Sequence, residues 1–93
     1  MIALLKKINS MSKPLAVITG ASSGIGEATA KAFSKAGYPT LLLARRLEIM
    51  ESFNLENSIC RKVDVRDRDS LVSAIREAED KYGPTDMIFN NAF

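Results

Sequence analysis

Apolar positions along the chain follow two periods that alternate. Leu15-Ala16-Val17-Ile18 and Thr40-Leu41-Leu42-Leu43-Ala44 are continuous apolar runs of strand length. Such runs mark parallel strands buried on both faces. Between them Ile25, Ala28, Ala32, Phe33 and Ala36 recur at helical spacing and predict a helix over 24–36 with that stripe as its buried face. Gly37 suits the left-handed cap that ends a helix, and Pro39 prevents continuation. A short helix is predicted over 47–53 and a third strand over 58–63. The next helix starts near Asp67 and Asp69, whose carboxylates suit a helix N-terminus. Leu71, Ile75, Ala78 and Tyr82 form its apolar stripe, and Gly83-Pro84 stops it. A last strand falls on 86–90, and the first on 15–20.

The order β-α-β-α-β-α-β implies a parallel sheet with right-handed crossovers. The expected fold is α/β: a three-layer Rossmann-like parallel sheet of order 3-2-1-4, the incomplete half of a doubly wound domain. Strand one is then central, and its C-terminal end opens on a crevice at the switch point. The sequence divides into an extension over 1–12 and a partial domain over 13–93. With 93 residues, 46% of them hydrophobic, the chain suits one small unit.

Charge and rare residues narrow the classes of function. The net charge is +2, with acids and bases interspersed, so no basic stripe points to nucleic acid. The leading run Met1-Ile2-Ala3-Leu4-Leu5 is too short for a signal segment or a membrane span, so no membrane partner is expected. A single cysteine, Cys60, excludes an intrachain disulfide and points to a cytoplasmic setting. Cys60 lies in an apolar strand pattern, which reads as an inert, buried thiol ahead of a reactive one. The absence of histidine removes the commonest metal ligand and general base, and no metal site is expected.

The chemistry concentrates at Thr19-Gly20-Ala21-Ser22-Ser23-Gly24-Ile25-Gly26, between the first strand and the first helix. A glycine turn that leads into a helix N-terminus offers unpaired N–H groups and the positive end of the dipole to an anion. The phosphate loop of kinases and ATPases requires a lysine after its last glycine, and here Glu27 stands there. The spacing also differs from G-x-G-x-x-G. A turn that only joins strand to helix is the plain alternative. The segment resembles the TGxxxGxG cofactor motif of the classical short-chain dehydrogenase/reductase family, and the resemblance extends over nearly all of 13–92. It implies that Gly20, Ser22, Ser23, Gly24, Ile25 and Gly26 surround a dinucleotide pyrophosphate.

The end of the second strand bears on which dinucleotide is favoured. NAD-binding relatives of this fold place an acid there, for the ribose 2′-OH. This chain has Arg45-Arg46 instead, and a guanidinium fork suits a phosphate, so NADP(H) is favoured over NAD(H). Arg46 serves equally well as a surface charge. The resemblance agrees on Arg45, while its second frequent basic position holds Ser23. It also implies that Asp64 accepts a hydrogen bond from adenine with Val65 beside it; a turn or helix cap is the alternative for Asp64. Asn90-Asn91-Ala92 resembles the family's NNAG motif, which steadies the sheet and approaches the cofactor, but Phe93 replaces the glycine.

The family's catalytic Ser, Tyr and Lys match nothing in this chain. Neither Tyr38 nor Tyr82 has a lysine four residues on; Lys81 is adjacent to Tyr82, and neighbouring helix positions do not face each other. The expected function is the NADP(H)-binding portion of an oxidoreductase that moves hydride between cofactor and a carbonyl or alcohol. The alternative is a non-catalytic dinucleotide-binding or interaction module complete at 93 residues. The last strand is expected to be an exposed edge with apolar Met87, Ile88 and Phe89, which favours self-association or a homo-oligomer.

Overall fold

Two fully buried strands, apolar but for Thr19 and Thr40, form the centre of the sheet. A computed structural model describes residues 13–91. The extension over 1–12 and the positions Ala92 and Phe93 lie outside the described residues. The strands are β1 (Leu15–Thr19), β2 (Thr40–Ala44), β3 (Ser58–Lys62) and β4 (Thr85–Asn90). All ladders are parallel, and the order is β3-β2-β1-β4. Every residue of β1 and β2 is buried. The helices are α1 (Gly24–Lys35), α2 (Leu47–Ser52) and α3 (Arg68–Tyr82).

Alternation along the strands builds two cores, one on each face. Leu15, Val17, Leu41, Leu43 and Ile59 point to α3 and meet Leu71, Ala74, Ile75, Ala78 and Tyr82. Ile18, Leu42 and Ala44 point the other way, to Ala30, Met50, Leu47 and Phe53. Two helices on one face and one on the other make the three layers. The stripe expected on α3 faces the core, with Ala74 added to it. Asp67 caps α3: its carboxylate accepts the Ser70 N–H at 3.3 Å and the Ser70 hydroxyl at 2.7 Å.

Helix α1 is rotated from the expected stripe. Ile25 is 76% exposed, and Ala28, Ala32 and Ala36 also face outward. The buried positions are Gly26 and Ala30, with Phe33 half-buried beside them. The reason is a backbone contact. A Cβ built on Gly26 would press on the Gly20 carbonyl and lie 2.7 Å from its carbon, so the helix seats its smallest residue against the turn. That seat fixes the rotation, and methyl-sized alanines provide too little apolar bias to oppose it. Phe33 then reaches the Phe89 ring at 4.9 Å and Tyr38 at 5.1 Å, joining α1 to β4. Gly37 has φ +91°, the left-handed geometry expected after the helix, and the Lys13 ammonium donates to the Ala36 carbonyl at 2.9 Å.

Strand β4 is half-covered. Thr85, Met87 and Phe89 are partly buried, whereas Asp86, Ile88 and Asn90 are exposed. Ile88 pairs with the buried Val17 yet is 62% exposed, because among the described residues nothing packs over β4 on the α3 side. At the other edge, β3 shows exposed Arg61 and Lys62, and Arg61 forms an ion pair with Glu77 of α3. Charged side chains of this kind discourage further strand pairing. Cys60 is half-buried on the α2 side, and burial pushes its thiol up from its ordinary value, aided by nearby Glu51.

Candidate functional site

The glycine turn is held in a shape that only glycine adopts readily. Gly20 has φ +63° and Gly24 φ +58°, both left-handed. Nothing lies within 4 Å of a Cβ built on Gly24, so open space faces that backbone. Gly26 has the opposite role and brings helix and turn into contact. The Ala21 N–H donates to the Leu43 carbonyl at 3.3 Å, which fastens the turn to the end of β2. Ser23 is the N-cap residue of α1, and its side chain makes no capping bond. The first N–H groups of the helix are therefore left for an external acceptor. Ser22 is half-buried and Ser23, Gly24 and Ile25 are exposed around that opening.

A crevice of about 820 Å³ runs from this turn across the ends of β2 and β3. Gly20 and Ser22 line one end, Leu43 and Ala44 the floor, and Arg45, Arg46, Asp64 and Val65 the far wall. Arg45 and Arg46 are exposed, and among the described residues neither guanidinium has a hydrogen-bond or ion-pair partner. Arg46 occupies the N-cap position of α2 without a side-chain cap. The structure thus brings Gly20, Ser22, both arginines, Asp64 and Val65 to one crevice, whereas Ser23, Gly24, Ile25 and Gly26 do not line it.

Arg66 also lines the crevice, and the sequence reading passed over it. Its guanidinium binds Asp64 side-on, Nη2 to Oδ2 at 2.7 Å and Nε to Oδ1 at 3.1 Å. Its backbone N–H donates to the same Oδ1 at 3.0 Å. These bonds, with a smaller contribution from Arg45, hold the Asp64 carboxyl well below the usual carboxylate range. Asp64 therefore does serve as a turn cap, while facing the crevice at the same time. The available signal was the Asp64-Val65-Arg66 spacing at a strand end, where a carboxylate commonly bonds the backbone two residues on.

The Asn90-Asn91 pair is tied to the glycine motif by Thr19, a second residue that drew no assignment of its own. Its buried hydroxyl donates to Asn90 Oδ1 at 2.9 Å and accepts the Asn91 N–H at 3.0 Å. This joins the C-terminal ends of β1 and β4. Asn91 Nδ2 is buried without a hydrogen-bond partner among the described residues. Ala92 was grouped with these two and lies outside the described residues. Tyr82 packs in the core as expected, but the Lys81 ammonium does reach its ring, at 5.3 Å from the centroid. The long, flexible lysine stem permits this despite adjacency in sequence.

Sheet order and a crevice at the switch point together define a Rossmann-like α/β fold. Residues 14–92 match the family model described as short chain dehydrogenase. The chain belongs to the short-chain dehydrogenase family. It is 40% identical over 82 residues to an uncharacterized oxidoreductase of Listeria monocytogenes, covering 82% of this chain and 33% of that protein. It is 39% identical over 85 residues to the farnesol dehydrogenase of Aedes aegypti, covering 84% and 35%. An actinorhodin polyketide ketoreductase solved with NADPH superposes with TM-score 0.78 at 28% identity, over 88% of this chain and 34% of that one. A 3-ketoacyl-(acyl-carrier-protein) reductase from Brucella melitensis, complexed with NADH, gives 0.73 at 28%, over 81% and 32%. The chain spans 7% to 36% of the length of the first curated relatives it matches.

Proposed function

We propose that this chain forms the NADP(H)-binding portion of a short-chain oxidoreductase that exchanges hydride with a carbonyl or alcohol. The observation that carries the reading is the crevice itself: a glycine turn leading into a helix N-terminus without a side-chain cap at one end and, at the other, two guanidinium groups without a partner among the described residues. Those residues fit a nicotinamide dinucleotide. The turn and the first N–H groups of α1 receive the pyrophosphate. Arg45, with Arg46 beside it, receives the 2′-phosphate, and Asp64 accepts the adenine amino group next to Val65. Asn90 and Asn91 border the ribose, where the unpartnered Asn91 Nδ2 is a ready donor. The bound nicotinamide ring supplies or accepts the hydride. Proton transfer to substrate is assigned to the family's Ser, Tyr and Lys, which match nothing in this chain. In this reading the protein is cytoplasmic, and the uncovered edge of β4 associates with a second copy.

A comparison of NADPH and NADH binding tests the cofactor assignment. A guanidinium on a phosphate is worth about 1.5–3 kcal/mol, or about 10- to 100-fold in affinity. The chain is expected to bind NADPH more tightly by about that factor. Arg45→Ala should remove the preference by weakening NADPH alone. Equal affinity for the two cofactors, or an unchanged preference in the variant, refutes the 2′-phosphate assignment.

A further inference from the structure

We infer that Arg66 is a positioning residue for base recognition, setting Asp64 so that the crevice discriminates a 6-amino purine from a 6-oxo purine. The inference rests on the proposed reading that Asp64 faces the adenine. Its own observation is the geometry around that carboxylate. An ionised carboxylate has about four lone-pair sites. The Arg66 backbone N–H and Nε take both sites on Oδ1, and Nη2 takes one on Oδ2 at 2.7 Å. The remaining longer contact, Nε to Oδ2 at 3.3 Å, is a weak share of a proton already given to Oδ1. One strong acceptor site on Oδ2 is thus left for a further donor. The backbone turn is closed as well, because the Asp67 N–H donates to the Asp64 carbonyl at 2.8 Å. The carboxylate has no freedom to rotate without breaking a two-pronged contact.

The Arg66 side chain is 82% exposed and the Asp64 side chain 37% exposed, so the pair adds little to stability. Its consequence is orientation. A fixed, permanently ionised acceptor at the crevice wall favours an N–H₂ group at purine position 6 and repels a carbonyl oxygen there. A lysine in place of Arg66 keeps the charge and loses the planar fork.

The test compares NADPH with its hypoxanthine counterpart by titration of the whole chain. One hydrogen bond to a charged group predicts about tenfold or greater preference for the adenine form. Arg66→Ala and Arg66→Lys should each reduce that preference to about threefold or less. Asp64→Asn should abolish it, because an amide can accept from one base or donate to the other. Circular dichroism should show both Arg66 variants folded. Loss of discrimination in Asp64→Asn with wild-type discrimination in both Arg66 variants overturns the positioning role alone. Full discrimination in Arg66→Lys shows that charge suffices, and overturns the fork geometry. Unchanged discrimination in Asp64→Asn overturns the adenine assignment itself, and this inference with it.

Discussion

Replacing Gly26 with alanine tests whether the crevice depends on a backbone contact. The added Cβ would press on the Gly20 carbonyl, 2.7 Å from its carbon and 3.1 Å from Ala21 Cα. These atoms are backbone, so no side-chain rotation relieves the overlap. Either the turn lifts or α1 slides outward along the sheet. Overpacking of this kind costs about 1–3 kcal/mol. Alanine regains up to about 1 kcal/mol of helix propensity in a helix interior, and less in the first turn where Gly26 lies. The net expectation is a loss of about 1–2 kcal/mol, and about 4–8 °C in Tm per kcal/mol for a domain of this size. Gly24→Ala is the internal control. There the Cβ meets open space and only the left-handed backbone is strained, at about 1–2 kcal/mol. The two variants therefore differ little in stability but differ in mechanism. Gly26→Ala moves the Ala21 N–H away from Leu43 and distorts the turn, whereas Gly24→Ala puts a methyl group into the ligand space. Thermal melts with and without NADPH read both effects. Gly26→Ala with an unchanged or raised Tm and native NADPH affinity refutes the seating argument.

Other expectations follow from single contacts. Thr19→Val leaves the Asn91 N–H and Asn90 Oδ1 without their partner, and should lower stability by about 1–3 kcal/mol in urea unfolding, with Thr19→Ser near native. Asp67, Glu77 and Glu79 are held below their ordinary values, by Ser70, Arg61 and the Thr85 backbone respectively. The unfolded chain then binds more protons, so their stabilisation is present above the ordinary values of 3.8 and 4.5 and is lost as pH falls through the lower folded values. Acid unfolding should thus steepen below about pH 4 and weaken in Arg61→Ala, as followed by circular dichroism. Cys60 should react slowly with a thiol reagent near neutral pH and much faster in urea; equal rates would contradict its burial. Ile88→Lys, at the uncovered face of β4, should raise the monomer fraction in sedimentation at micromolar concentration, and an unchanged distribution counts against association through that edge.

How much of this was legible before the structure depended on which force decided each feature. The sheet was legible because β1 and β2 are apolar at every position but one threonine each, and a strand buried on both faces has that composition. Strand order 3-2-1-4 followed from the doubly wound arrangement that the alternating β-α pattern implies, and needed no individual contact. The face of α1 was not legible. Hydrophobic periodicity assumes that side-chain burial sets a helix's rotation, whereas here a missing side chain sets it. Gly26 contributes nothing to an apolar stripe, yet its closeness to Gly20 determines which residues Ile25 and Ala28 present to solvent. The same limit applied at the crevice. Arg45 and Asp64 could be placed at one crevice from their positions at strand ends, since topology alone brings strand ends together. For Arg66 the sequence offered only the two-residue spacing that suits a backbone bond to Asp64, whereas the two-pronged guanidinium contact is a matter of side-chain geometry. A residue that acts on the ligand directly leaves its type and position in the sequence as evidence. One that acts by orienting another leaves only a distance, which the sequence does not contain.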